Sequence, residues 1–490
     1  MSLVNRVDHR YGIPGNMASH QAATFTPALS KPLYLTLTRD HFTPKDRLSS
    51  QLYLNEKLQA VANMASPLPR NIADIALWLE QANTETGKQY QKYLSERERG
   101  APRRLFHTKS HALNFLQSVA PTKLVDGAWL YGLCRLWREH RYTHLIDTYL
   151  EELGEGDATK NHVLLYKKLL AEHECDQWQN LPDEYFVQGA IQLSLGYNAA
   201  NYIPETIGFN LGYEQLPLHL LITSHELKEL GINPYYFLLH VTVDNAATGH
   251  ARKARQALTE AMPTMADTPD FMRRVNNGYQ LNDLGLGTEK IISLFDLDRE
   301  FLAILKAKSV FGQHMHSSKC RFNGKTLNDW LSDSSRMPEF INSLIENGWI
   351  KRHQDPRLSR FWKLIEGDGA RMFGVFNGYE KQVIYDWIAG ERHEELRLLS
   401  QPKVSYLTSH ISQLPPAATH AAVHSEDADV AALEKQLMAT NNLDEVMQLL
   451  IPAISPALHH SPAGLLATQL YKSQLHKTHI PQGMTGARFH

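Results

Sequence analysis

From about residue 109 to 310 the sequence is an almost unbroken succession of helix-length apolar patterns, broken by Gly, Pro and Asn and nearly free of strand alternation. The three- and four-residue recurrence of apolar positions marks helices over 109–119, 122–137, 141–153, 158–173, 183–200, 204–225, 234–260 and 268–280, with another near 289–308. Helices joined by connections this short must pack on their neighbours, so the expectation is a mainly α chain built on a helical bundle.

The flanks read differently. A chain of 490 residues exceeds one typical core, so two or three domains are expected. Residues 1–104 form a partly helical N-terminal extension, with a short strand-like run from Leu33 to Thr38 and a polar stretch, Ser95 to Arg104, that reads as an exposed connection. Residues 105–310 make the bundle, and 311–399 a small α-rich C-terminal unit, with room for a hairpin in the run from Ser359 to Ile388. Residues 400–490 read as a linker and tail, with helices at about 429–453 and 461–475 and solvated histidines that include His459 and His460.

Charge narrows the function classes. Fifty basic against 52 acidic residues leave a formal charge of −2, which advertises no polyanionic partner, so nucleic-acid binding is not expected. Three widely spaced cysteines do not make a disulfide framework and suit a reducing compartment. Neither a secretory leader pattern nor an apolar run of roughly 20 residues occurs, so a cytoplasmic protein without a membrane partner is expected.

Chemistry concentrates in four places. Glu152 and His162 are ten residues apart, which on a straight helix leaves them about 80° apart in projection and about 15 Å apart along the axis, too far for one ion. Gly154 and Gly156 between them permit a kink that would bring them together; the alternative is a surface turn. His240 and Asp244 are an i, i+4 pair on an apolar helix, with His250 returning within about 80° of His240. A buried carboxylate needs a partner, which could be each other or a metal. Glu205, following Pro204 at a helix start, could serve a site or only the helix dipole. Glu214 lies about 180° around the same helix, so only one of the two can face a common site, and Glu205 is the choice. Asp126, among Leu124, Val125, Ala128 and Trp129, again calls for a partner, with Lys123 and Arg135 as the plain candidates. Carboxylates with imidazoles and no cysteine suit iron or manganese better than structural zinc, and facing helices of a bundle can build a dinuclear core from them.

In these residues the chain resembles the haem-oxygenase-like diiron oxidases and oxygenases, also described as iron-containing redox enzymes. The resemblance covers roughly residues 105–310 and is carried by Glu151-Glu-Leu-Gly-Glu-Gly with His162, Pro204-Glu-Thr-Ile-Gly, and His240-Val-Thr-Val-Asp244 with Gly249-His250. It implies a haem-oxygenase-like bundle in which Asp126, Glu152, His162, His240, Asp244 and His250 hold two Fe2+ ions, with Glu205 as an extra carboxylate. Two positions depart from the pattern: Asp126 stands where Glu is common, and five residues separate Asp244 from His250, more than in some members. The implied activity is O2-dependent oxidation of a small amine, amino acid or fatty-acid-like substrate, by N-oxygenation, desaturation or C–C cleavage, in specialised-metabolite biosynthesis. A homodimer is left open. The competing expectation is a metal-free helical binding protein on the same bundle.

Overall fold

The computed structural model describes residues 29–69, 71–243, 249–263, 267–313, 316, 319, 321–367, 370–372, 374–400, 427–440 and 442–479. It is a helical bundle; the strands among the described residues are Arg321–Phe322 and Lys325–Thr326, paired antiparallel across Asn323 and Gly324. Polar side chains fix where several helices begin. Thr43 and Asp46 form a reciprocal cap at Pro44–Val61, Thr108 accepts the His111 N–H at the start of Lys109–Lys123, and Asn377 with Glu380 caps Gly378–Ala389.

Two clusters of buried apolar side chains hold the helices together. The first joins Leu33, Tyr53 and Val61 from the N-terminal segment to Trp129, Leu193 and Phe209 of the bundle and to Met447, Leu450 and Tyr471 near the C-terminus. The second joins Phe106, Phe115 and Tyr166 to Phe237, Phe301, Trp362 and Ile384. Each such side chain, taken fully out of water, contributes about 1.5–3 kcal/mol. That is the driving force which lets a few charged groups be buried where the clusters meet. The seam is visible in the chain itself, for Leu124 belongs to the second cluster and Val125 to the first, and Asp126 follows.

Several local expectations are corrected. The strand-like run lies in a helix, Ser30–Leu37, which buries Leu33, Tyr34 and Leu37. Its first N–H groups are satisfied by a distant acid: Ser30 and Lys31 donate to Asp183 at 3.1 and 2.8 Å, a tertiary cap that local sequence does not announce. The helix expected over 122–137 breaks at Gly127, and that over 204–225 divides into Ile203–Tyr213 and Leu218–Glu229. The one expected over 234–260 is described as Tyr235–Val243 and His250–Glu260. The hairpin falls at 321–326, ahead of the run from Ser359 to Ile388 where room for one was expected. The basic connection is not wholly exposed either: Arg103 is buried against Glu394, and Glu226 accepts the N–H groups of Arg104, Leu105 and Phe106.

Candidate metal centre

Asp126 sits just beyond the helix Lys109–Lys123, in a turn closed by Gly127 at φ 77°. A side chain at 127 would be strained by that backbone, and its Cβ would stand 2.8 Å from the Cβ of Glu152. The glycine is therefore what lets the two acids approach. Asp126 Oδ1 accepts from the Tyr213 hydroxyl at 2.9 Å, and Oδ2 accepts from the Tyr236 hydroxyl at 2.6 Å.

Glu152 ends the helix Thr143–Glu152, and His162 begins the helix His162–Glu172. Between them Gly154, Glu155 and Gly156 take left-handed backbone angles of 65°, 55° and 85°, so the chain doubles back instead of running straight. For the non-glycine Glu155 that conformation costs about 1–2 kcal/mol. The tail offsets it: Gln469 donates to Gly156 O at 3.0 Å and Lys472 pairs with Glu155. Asn161 caps the second helix through Leu164 N–H at 3.1 Å and ties it back to Leu153 O at 3.1 Å. His459, expected to be solvated, is buried and accepts from Asn161 at 3.1 Å; His460 is half-buried. The turn brings Glu152 Oε2 within 2.5 Å of His162 Nδ1.

The imidazoles are oriented by their far nitrogens. His240 Nδ1 lies 2.8 Å from Tyr236 O, a pure acceptor, so this nitrogen carries the proton and the Nε2 lone pair of a neutral ring faces Asp126 Oδ2 at 2.9 Å. His250 Nε2 lies 2.8 Å from Glu151 Oε2, and its Nδ1 faces Glu214 Oε2 at 3.0 Å and Glu152 Oε1 at 3.4 Å. Each ring thus presents a donor atom to carboxylate oxygens while the other nitrogen is held by the protein, as metal-binding histidines are.

Two groups of converging donor atoms result. Asp126, Glu152, His162 and His240 form one, Glu152, Glu214 and His250 the other, with the atoms of each group within 4.8 Å of one another and every residue buried. Glu152 is common to both. Burial alone would raise the Asp126 carboxyl, but the charge of Lys123 and the adjoining imidazoles of His162 and His240 outweigh it and hold the group well below the usual range. Burial would likewise lower His162, yet the charge of Glu152, reinforced by Asp126, pushes it up to about 10. The cluster of acids calls for positive charge at its centre.

Of the residues singled out in the sequence, the structure brings Asp126, Glu152, His162, His240 and His250 together. Asp244 lies outside the described residues. Glu205 is placed elsewhere: it faces Arg274 on the helix Thr268–Gln280 and accepts two hydrogen bonds from it, at 2.6 and 2.7 Å. Glu214, on the other face of the same helix, is the acid that reaches the cluster. The half-turn argument separated the two correctly but could not say which face looked inward; Arg274, 69 residues downstream in sequence, was the missing partner. Glu151, Tyr213 and Tyr236 also escaped notice, since adjacent acids and helical tyrosines carry no distinguishing spacing.

The donor set fits a metal on its own evidence. Glu152 Oε2 and His162 Nδ1 are buried and closely apposed, yet neither makes a hydrogen bond of acceptable geometry. Buried polar atoms left so are costly unless something binds them. Glu152, Glu214 and His240 also border a cavity of about 490 Å3 with largely apolar walls, the kind of concave site that takes a small molecule.

A helical bundle with buried acids and imidazoles converging from separate helices defines a metal-binding helical protein. Residues 113–283, less than half of the chain but holding every member of both groups, match the family model described as iron-containing redox enzyme. That match agrees with the resemblance, and the matched family and the buried cluster together fit an iron oxidoreductase. No curated protein and no solved structure matches the chain. No helix among the described residues is long and apolar enough to cross a membrane.

Proposed function

We propose that this protein is a non-haem diiron oxidase or oxygenase that uses O2 to oxidise a small organic substrate held in the cavity beside Glu152. The observation that carries the reading is the division of one carboxylate between two donor groups: Glu152 Oε2 faces His162 while Oε1 faces His250. A carboxylate so placed could serve two metal sub-sites, one that Asp126, His162 and His240 would complete and another that Glu214 and His250 would complete. Iron bound there would supply the redox chemistry with oxygen, which no side chain of the cluster can supply alone.

The chain's own residues prepare that chemistry. Tyr213 and Tyr236 fix both oxygens of Asp126, and Glu151 holds the proton on His250 Nε2, so that Nδ1 stays available as a donor atom. Phe115, Val119 and Phe237 give the cavity beside the cluster apolar lining.

The test is metal content after anaerobic loading with ferrous iron and removal of excess. Near two irons per chain, falling to one or none in Glu152→Ala and His240→Ala, supports the reading. Retention of no iron, or equal retention by both variants, leaves a metal-free helical binding protein in its place.

A further inference from the structure

Glu152 and His162 are joined by the turn from Leu153 to Asn161, and that turn is gripped by the C-terminal part of the chain. The helices Leu443–Ala453 and Pro462–His479 belong to this part, which lies outside the stretch matching the family model. Apolar docking brings it onto the bundle: Met447, Leu450, Ile454, Tyr471 and Leu475 are fully buried in the cluster that also holds Trp129 and Tyr149. Burial of that kind is non-directional, so it attaches the helices without choosing their register. Hydrogen bonds choose it. Tyr149, on the helix that ends at Glu152, donates to Ile454 O at 2.5 Å, and Tyr471 donates to Cys134 O at 2.8 Å.

Three further contacts bear on the turn itself. Gln469 donates to Gly156 O at 3.0 Å, Lys472 pairs with Glu155, and His459 Nδ1 accepts from the Asn161 side-chain amide at 3.1 Å. The approach leaves no room for a side chain, for a Cβ at Gly156 would stand 2.5 Å from Leu465 O. Asn161 converts this grip into geometry at the site. Its amide donates to Leu153 O and its oxygen accepts the Leu164 N–H, so it ties the residue after Glu152 to the first turn of the helix that His162 begins. An amide has two hydrogens, and His459 takes the second. Removing that acceptor would leave a buried donor unpaired one residue away from His162.

We infer that the C-terminal helices are part of the metal centre. By holding the turn they set the separation of Glu152 and His162, and with it the affinity of the group those residues form with Asp126 and His240. Asn161, His459 and Gln469 are positioning residues that act through the turn. The inference rests on the iron reading above for what binds, while the grip on the turn stands without it. The second donor group shares only Glu152 with the first, so its affinity changes less. Coupling of this kind is reciprocal: metal at the His162 group must tighten the docking of Pro462–His479 by the factor by which docking tightens metal binding.

Substitutions in the full chain test this, read by anaerobic ferrous titration and by amide hydrogen exchange of residues 153–161 in the metal-free protein. His459→Leu and Gln469→Leu should each speed that exchange and weaken iron binding at the His162 group about 10- to 100-fold, the range for partners that orient metal ligands. His459→Asn, whose side-chain oxygen can accept from Asn161 as Nδ1 does, should restore both readouts. Asp444→Asn breaks a pair made outside the turn, the exposed one with Arg138 at 2.7 and 2.8 Å, and should leave both as in the parent chain. Iron loading of the parent chain should slow exchange across Pro462–His479. Parent-like iron affinity in His459→Leu and Gln469→Leu, or equal losses in His459→Asn and Asp444→Asn, would show that these helices only stabilise the fold and would overturn the inference. If the parent chain binds no iron, the diiron reading fails, and exchange of 153–161 across the same variants still decides whether the turn is held. Two irons per chain, with exchange indifferent to His459 and Gln469, is the reverse.

Discussion

Glu151 and Glu152 are neighbours in sequence but grip the same histidine from opposite sides: Glu151 Oε2 lies 2.8 Å from His250 Nε2, and Glu152 Oε1 lies 3.4 Å from His250 Nδ1. The rings of metal-binding histidines depend on such outer partners for tautomer and basicity, and losing one costs 10- to 100-fold in metal affinity. Glu151 is further anchored by Lys253. Glu151→Gln should therefore weaken iron binding at the Glu152–Glu214–His250 group by about 10- to 100-fold and spare the other. A ferrous titration of the variant should separate into a tight and a weak phase. A single phase like that of the parent protein would show that Glu151 does not support His250.

The approach of Asp126 to Glu152 depends on a missing methyl group. At Gly127 the backbone is left-handed, and a Cβ would come 2.8 and 3.0 Å from Glu152 Cβ and Cγ. Gly127→Ala combines a backbone penalty of about 1–2 kcal/mol with a contact that must push the helix end carrying Glu152 away. The expected result is a loss of roughly 2–4 kcal/mol in unfolding free energy together with reduced iron retention. Denaturant unfolding and metal analysis of one preparation measure both; unchanged iron content at lowered stability would mean that the two acids do not need this spacing.

Much of this site was legible because helix geometry is regular. The ten-residue gap from Glu152 to His162 is incompatible with one ion on a straight helix, and the glycines between them supplied the only local means of closing it. What stayed hidden depends on partners far away in sequence. The Ser30–Leu37 helix owes its cap to Asp183, and the turn at 154–156 owes its support to Gln469 and Lys472. His459 looked like a tail residue because its neighbours are Ser, Pro and His, yet it packs behind Asn161. Local pattern reports which face of a helix is apolar, not which of two acids the rest of the chain will cover.

The choice between Glu205 and Glu214 gives a clean contrast. Glu205→Gln breaks the charge pair with Arg274, which is 30% exposed, so the cost should fall at roughly 1–3 kcal/mol, below that of a fully buried pair. Its iron content should match that of the parent protein. Glu214→Gln should do the opposite, lowering retained iron towards one per chain at a smaller cost in stability, because the acid it removes stands in a crowd of like charges. Loss of iron in the Glu205 variant alone would return that residue to the site.

His111 provides a pH dependence remote from the cluster. Its Nδ1 accepts from the His107 N–H at 3.4 Å and its Nε2 lies 2.9 Å from Ile292 O, so the neutral ring has both nitrogens satisfied and a second proton would be forced against a donor. Burial pushes the group down from 6.5 to about 4. Above the ordinary value both folded and unfolded chains carry it neutral, and it has no effect on the pH slope. As pH falls from about 6.5 towards 4, the unfolded chain takes up a proton that the folded chain refuses, so this histidine lowers stability by up to about 1.4 kcal/mol per pH unit across that window. Replacing it with Gln should reduce the absolute stability yet flatten its decline between pH 6 and 4.5 (roughly) by close to one proton per chain. Denaturant midpoints of the two proteins at a series of pH values give the two slopes. Parallel lines would mean that His111 already titrates freely in the fold, and that its place between His107 and Ile292 does not keep it neutral.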